Sequence, residues 1–209
     1  ETLRAAWEEA MAHESVVTLA IATRPDCLGD DVLSLLADCR KKMPVAVELG
    51  LQTIHPDTIR YIRRGYPNFV YETAVKNLKN IGVDVVTHVI AGLPCETKEN
   101  FLDTVRYVAD MGSDGIKLQL LHVLKGTDLA LDYEKHLFQV LTLEEYLDFI
   151  TNALSILPPD MVIHRVTGDG PKDLLIAPLW SANKRMVLNS LHQKMKQEHI
   201  FQGKFYHGK

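Results

Sequence analysis

The sequence predicts an α/β fold in which parallel strands carry helices on their outer faces. Five apolar, β-branched-rich runs, helical patterns between them, and short connections that leave room only for right-handed crossovers predict it together.

The chain opens on a helical pattern, with Leu3, Ala6, Trp7, Ala10 and Met11 on one face. The first strand is "VVTLAIAT" at 16–23. Residues 29–42 place Val32, Leu35, Leu36 and Cys39 at helical spacing, with Asp30 and Asp31 near the amino end, where the helix dipole favours them. The second strand, "VAVELGLQT" at 45–53, precedes a short helix over 56–64 that opens on Pro56 and Asp57 and stops at Gly65. A helix over 70–81 ends at Gly82, and the third strand is "VDVVTHVIAG" at 83–92. A helix over 97–111 ends at Gly112, followed by the fourth strand, "GIKLQLLHVL" at 115–124. Thr142 with Glu145 three positions on predicts a capping box for a helix over 142–156. "MVIHRV" at 161–166 is the fifth strand, and from about 182 the tail reads as an amphipathic helix on the outside. Periodicity alone allows an open wound sheet or part of a barrel, and both bind ligands at the carboxyl ends of the strands.

With 209 residues, 46% of them apolar, the chain can bury one substantial core, so a single domain over 1–209 is expected. The net charge is −4, and the short basic clusters Arg40-Lys41-Lys42 and Arg63-Arg64 make a poor footprint for duplex nucleic acid. No apolar run approaches the roughly eighteen residues needed to cross a bilayer and no signal segment opens the chain, so no membrane association and a cytoplasmic location are expected. Cys27, Cys39 and Cys95 are odd in number and far apart, which excludes a close-spaced metal motif within this chain; no metal ligand is assigned.

The strand ends carry the candidate chemistry. Arg24 and Asp26 flank Pro25 after the first strand. Glu48 and Gln52 share one face of the second, with Gly50 between them leaving room above it. A carboxylate in an apolar strand needs a pairing partner or a ligand. Arg63 and Arg64 suit a helix carboxyl end, and an arginine there could instead grip a ligand carboxylate. Gly92, Leu93 and Pro94 end the third strand in a turn that admits close backbone approach, and Glu96-Thr97 open a helix with free N–H donors. Lys117 and Gln119 share a face of the fourth strand, and His122 and Lys125 follow it. The turn Gly168-Asp169-Gly170 has the composition of a tight turn or of a close-approach loop.

In order along the chain, "TRPDCL", "VELGLQTIHPDTIRYIRRG", "HVIAGLPCET", "DGIKLQLLHVLKGT" and "HRVTGDGPKDLLIAPLW" resemble the radical S-adenosylmethionine (radical SAM) superfamily. Within it they are most similar to a bacterial family related to the catalytic subunit of Elongator. The resemblance implies the carboxyl-terminal portion of a partial (β/α)6, TIM-like barrel, from the third barrel strand onward over about 1–157, with an extension over about 158–209. It implies S-adenosylmethionine as cofactor and a [4Fe–4S] cluster that splits it to a 5′-deoxyadenosyl radical for hydrogen abstraction from a substrate. The cluster's C-x3-C-x2-C motif, or a wider-spaced variant, is absent from this chain. The chain is therefore expected to be an inactive fragment of a full-length enzyme, with an exposed barrel edge through which it could dimerise.

By the same resemblance, Glu48 and Gln52 would lie at the ribose and methionine part of S-adenosylmethionine and Arg64 at its carboxylate, while Gly92, Leu93 and Pro94 would lie beside the adenine. Arg24 joins them as a cofactor-binding candidate. His88 stands where that motif often has glycine, and the acid arrives one position late as Glu96. Lys117, His122 and Lys125 would face the substrate, for which RNA is a candidate. Two other functions stay open: a metal-independent barrel lyase or aldolase using Lys117 and Glu48, and a non-catalytic module binding RNA or protein through the 125–142 loops and the basic tail helix.

Overall fold

A computed structural model describes residues 2–168 and 170–208; Asp169, at the centre of the Gly168–Gly170 turn, lies outside the described residues. The helices are α1 (Thr2–Met11), α2 (Asp30–Lys42), α3 (Pro56–Tyr61), α4 (Asn68–Asn80), α5 (Lys98–Asp110), α6 (Asp128–Glu134), α7 (Leu143–Ile156) and α8 (Lys184–Gln197). The strands are β1 (Leu19–Thr23), β2 (Val45–Gln52), β3 (Asp84–Ala91), β4 (Gly115–Leu120), β5 (Val123–Leu124), β6 (Val162–Arg165) and β7 (Leu175–Ala177). β1-β2-β3-β4-β6 form one sheet in that order, every pair parallel, which is the parallel α/β arrangement the alternation of elements predicts and the barrel-like order the resemblance implies.

Alternation divides the sheet into two faces. In β2, Val45, Val47, Leu49 and Leu51 are buried against the helices, while Ala46, Glu48, Gly50 and Gln52 point to the less covered inner face. The outward side chains join Leu36, Tyr71, Leu78, Phe101, Val105 and Ile150 in one core that runs from Leu19 to Leu191. A short polar chain crosses this layer: the Tyr71 and Thr87 hydroxyls lie 2.8 Å apart, and Thr87 and Ser113 2.9 Å apart. Buried hydroxyls need such partners, and this set ties α4 to β3. The capping box predicted at Thr142 and Glu145 is present, and Thr97 with Asn100 makes a second one at the start of α5.

Several boundaries differ from the sequence reading. β1 starts at Leu19, where its partner β2 starts at Val45. α3 stops at Tyr61, because Arg63 (φ +53°) and Gly65 (φ +87°) turn the chain in the left-handed region. The run at 115–124 is broken: Gly115–Leu120 stays in the main sheet, whereas Val123–Leu124 turns away and pairs antiparallel with β7. That departure belongs to a second hydrophobic cluster, Val123, Ala130 and Ala177, packed with Leu129, Tyr133 and Phe138. Segment 125–142, which reads as loop from sequence, contains α6, capped by the Thr127 hydroxyl.

β5, α6 and β7 thus form a cap with its own small core. Its polar tethers to the α3 end include Arg63–Asp128 at 2.7 Å and Tyr61–Asp132 at 2.7 Å. Exposed ion pairs contribute little, so the cap opens at lower free energy than the main sheet. Amide hydrogen exchange is expected to release residues 123–134 well before β2, β3 and β4; equal protection of the two regions would contradict this division.

Candidate functional site

The inner face of the sheet brings together Glu48 from β2, His88 from β3, and Lys117 and Gln119 from β4. Glu48 Oε2 accepts from Lys117 Nζ at 2.5 Å and from His88 Nε2 at 2.9 Å, and Gln119 Nε2 lies 3.0 Å from His88 Nδ1. An amide nitrogen only donates, so His88 Nδ1 accepts and its proton resides on Nε2, facing Glu48. Burial works to raise the Glu48 carboxyl, but the bonds and charges of Lys117 and His88 outweigh it and hold the group below the usual carboxylate range. Burial likewise pushes His88 below the usual histidine range; the bond to Glu48 opposes this, and the charges of Lys117 and Arg165 reinforce it.

Gln52 closes β2 in an unusual way. Its φ of +67° and the register shift after Gly50 swing the side chain back along the strand, and a Cβ at Gly50 would lie 2.7 Å from Gln52 Nε2. Gly50 is the space that Gln52 occupies. Beyond it, Gln52, Ile90, Leu93, Pro94, Leu121 and Leu129 line a cavity of about 380 Å³ at the carboxyl ends of β2, β3 and β4, with α6 as its outer wall. Burial and the neighbouring Asp132 push the Tyr61 hydroxyl at this wall up to about 12.

The other candidates are placed differently from one another. Gly92 has φ +80°, and its Cβ position is filled by Leu141, 2.9 Å away, so the open side of this glycine faces the chain's own loop. Glu96 is drawn inward: Thr53 Oγ1 donates to it at 2.5 Å, burial raises its carboxyl, and it ties the β3 turn to the end of β2. Arg64 is only 6% exposed, and its guanidinium donates to the carbonyls of Leu51, Thr53 and Tyr66 and to Asn68 Oδ1. These five contacts occupy the whole fork, so the expected reach to a ligand carboxylate is replaced by a buttress under the turn after β2. Arg24 keeps an exposed guanidinium at the end of β1, paired with Asp26 at 2.9 and 2.6 Å and 5.6 Å from the Tyr66 ring centre.

Lys117 is the catalytic candidate that faces the barrel interior. His122 lines a separate cavity of about 820 Å³ with Trp180, Lys184 and Arg185, and a Cβ at Gly168 or Gly170 would overlap its imidazole. Of the two readings of that turn, tight turn or close-approach loop, the contacts of Gly168 and Gly170 with His122 favour the second. Lys125 lies on the cap, donating to the Asp173 carbonyl at 3.2 Å. Sequence pattern does not single out His88 and Gln119 as partners of Glu48, nor does it point to Tyr61, Tyr66, Asp128 or Asp132. A signal for His88 is present, since it shares the inward parity of β3 with Ile90.

Among the described residues no group of three His, Cys, Asp or Glu side chains is placed to hold a metal. No helix among them is long and apolar enough to cross a membrane.

The family description "Radical SAM superfamily" matches residues 2–108, and "Radical_SAM C-terminal domain" matches residues 113–197. YtqA of Bacillus subtilis is 42% identical over 206 residues, covering 99% of this chain and 64% of that protein. The tRNA uridine(34) acetyltransferase of Methanocaldococcus jannaschii is 26% identical over 191 residues, 90% of this chain and 34% of that protein. The Methanocaldococcus infernus Elp3 structure superposes with a TM-score of 0.77 at 22% identity, covering 89% of this chain and 43% of that one. The last likeness is one of fold.

Two outcomes test the roles of Arg64 and His88. Arg64→Ala takes the guanidinium from the Thr53 and Tyr66 carbonyls, leaving the Leu51 carbonyl to the Thr53 amide, and is expected to cost about 3 kcal/mol, with little recovered in Arg64→Lys, which lacks the fork. A loss under about 1 kcal/mol by denaturant titration would remove the buttress. For His88, the unfolded chain takes up a proton as pH falls past 6.5 and the folded chain resists it, so stability is lost on acidification. Between about pH 7.5 and 5.5 the wild type should lose more unfolding free energy than His88→Gln; parallel curves would contradict it.

Proposed function

The chain belongs to the radical SAM superfamily, and we propose that it forms the S-adenosylmethionine-binding part of an oxidoreductase that abstracts hydrogen from its substrate. The observation that carries this reading is the cavity at the ends of β2, β3 and β4, with the Glu48 network on the inner face of the same strands. Ile90, Leu93, Pro94 and Leu121 offer apolar surface for a flat base, and the Gln52 amide offers polar contacts at the rim. These residues fit the adenosyl half of S-adenosylmethionine. When bound beside a reduced [4Fe–4S] cluster, S-adenosylmethionine supplies a 5′-deoxyadenosyl radical.

In this reading Glu48 accepts a hydroxyl or ammonium group of S-adenosylmethionine. Arg24, exposed at the end of β1, takes the place of Arg64 toward a ligand carboxylate. Lys117 presents its ammonium toward the substrate side. The described residues do not fit the cluster: Cys27, Cys39 and Cys95 are separate thiols. We place its ligands in polypeptide outside these 209 residues, so that this stretch alone is inactive; the chain spans 64% of the Bacillus relative.

RNA is the substrate class we favour, supported by similarity to a tRNA uridine(34) acetyltransferase and by Lys184, Arg185, Lys194 and Lys196 on α8. An aldolase-like alternative is disfavoured by the ion pair that ties Lys117 to Glu48.

In the intact protein reconstituted without oxygen, iron and sulfide should be retained and reductant should release 5′-deoxyadenosine from S-adenosylmethionine. Glu48→Gln should weaken S-adenosylmethionine binding by about tenfold, the scale of a lost charge-assisted hydrogen bond. An intact protein that binds no iron, or activity that persists without it, would transfer the assignment to a metal-independent reaction.

A further inference from the structure

We infer that Lys117, His88 and Gln119 are positioning residues that hold one oxygen of Glu48 and leave the other presented to the barrel interior as a fixed acceptor. The inference rests on the reading of this face as the S-adenosylmethionine site and assigns residues that the reading itself does not need.

The geometry is directional. Gln119 donates to His88 Nδ1, His88 donates from Nε2 to Glu48 Oε2, and Lys117 donates to the same oxygen. Both donors converge on Oε2, and neither binds Oε1. A carboxylate gripped at one oxygen from two neighbouring strands cannot rotate freely, so the direction of Oε1 is set by the sheet. The alternative amide orientation of Gln119 would present its oxygen to Nδ1 and demand a proton there; His88 would then need to be cationic to keep its bond to Glu48. Its burial beside the Lys117 and Arg165 charges argues for the neutral ring.

The charged and titratable groups that act on Glu48 are His88 on β3 and Lys117 on β4; Arg165 on β6, in register with Lys117, acts on His88. Gln52, on the same strand as Glu48, is uncharged. A purely structural role would need the pair for stability and would be indifferent to which imidazole nitrogen carries the proton. A positioned acceptor depends on both.

Two measurements on the intact protein separate these roles. The ring nitrogens of His88, assigned by their loss in His88→Gln, should report a neutral Nε2–H tautomer, held by the Glu48 carboxylate. S-adenosylmethionine affinity measured by equilibrium dialysis should change little between about pH 7.5 and 5 in the wild type and in His88→Gln, whose amide still donates to Glu48. In Lys117→Met and His88→Leu it should weaken by about tenfold at the acid end, one unit of pKa being a factor of ten. An Nδ1–H tautomer in the wild type, or unchanged acid behaviour in both Lys117→Met and His88→Leu, would overturn the inference. If the wild type binds no S-adenosylmethionine, the functional reading fails, and the tautomer still decides whether the positioned acceptor exists.

Discussion

An ionised carboxylate on the inner face of a parallel sheet is the constraint around which the rest of this molecule is arranged. Glu48 is flanked by apolar strands and its side chain is only 19% exposed, so leaving it unpaired would carry a desolvation cost that no neighbouring packing offsets. Its two partners, His88 and Lys117, come from the next two strands, with Gln119 behind His88. Their meeting requires the register that sets His88 opposite Lys117 and Gly50 opposite His88. A one-residue slip of β3 would turn His88 toward the helices and place an apolar side chain against the carboxylate. The polar inner face and the apolar outer face therefore specify the same register, each penalising the error that the other penalises.

Glycines and arginines serve that face from behind. Gly50 makes room for the reversed side chain of Gln52, and the Tyr66 hydroxyl donates to the Gly50 carbonyl at the same point. Tyr66 also lies under two guanidinium groups, Arg64 at 4.5 Å and Arg24 at 5.6 Å from its ring centre. Arg64 donates to the Leu51 and Thr53 carbonyls where β2 ends and α3 begins, and without it the buried Thr53 carbonyl would lose its donor. The rim of the site is thus built by a cation turned inward, while a second cation, Arg24, lies exposed and paired with Asp26.

The wall of the cavity has a different origin. Leu129 and the two aspartates of α6 belong to a cap whose apolar contacts are mainly its own, and α6 meets the α3 end through polar contacts. A stiff, register-locked floor beneath a weakly tethered wall is an arrangement in which access can vary while the geometry of the floor does not.

The sequence by itself determined the parallel α/β order, the shared strand faces of Glu48 with Gln52 and of Lys117 with Gln119, the helix cap at Thr142 and the membership of the chain in its superfamily. These follow from short-range patterns: two-residue alternation, helical spacing, capping residues and motif order. Tertiary structure alone decided that Arg64 points inward, that Gly92 is covered by Leu141, that His122 fills the space over Gly168 and Gly170, and that the fourth apolar run serves two separate cores. Each of these is a contact between segments distant in the chain. A side chain's type restricts what it can bind, but which acceptor lies within about 3 Å of it is set by the packing of strands and turns that the local pattern does not encode.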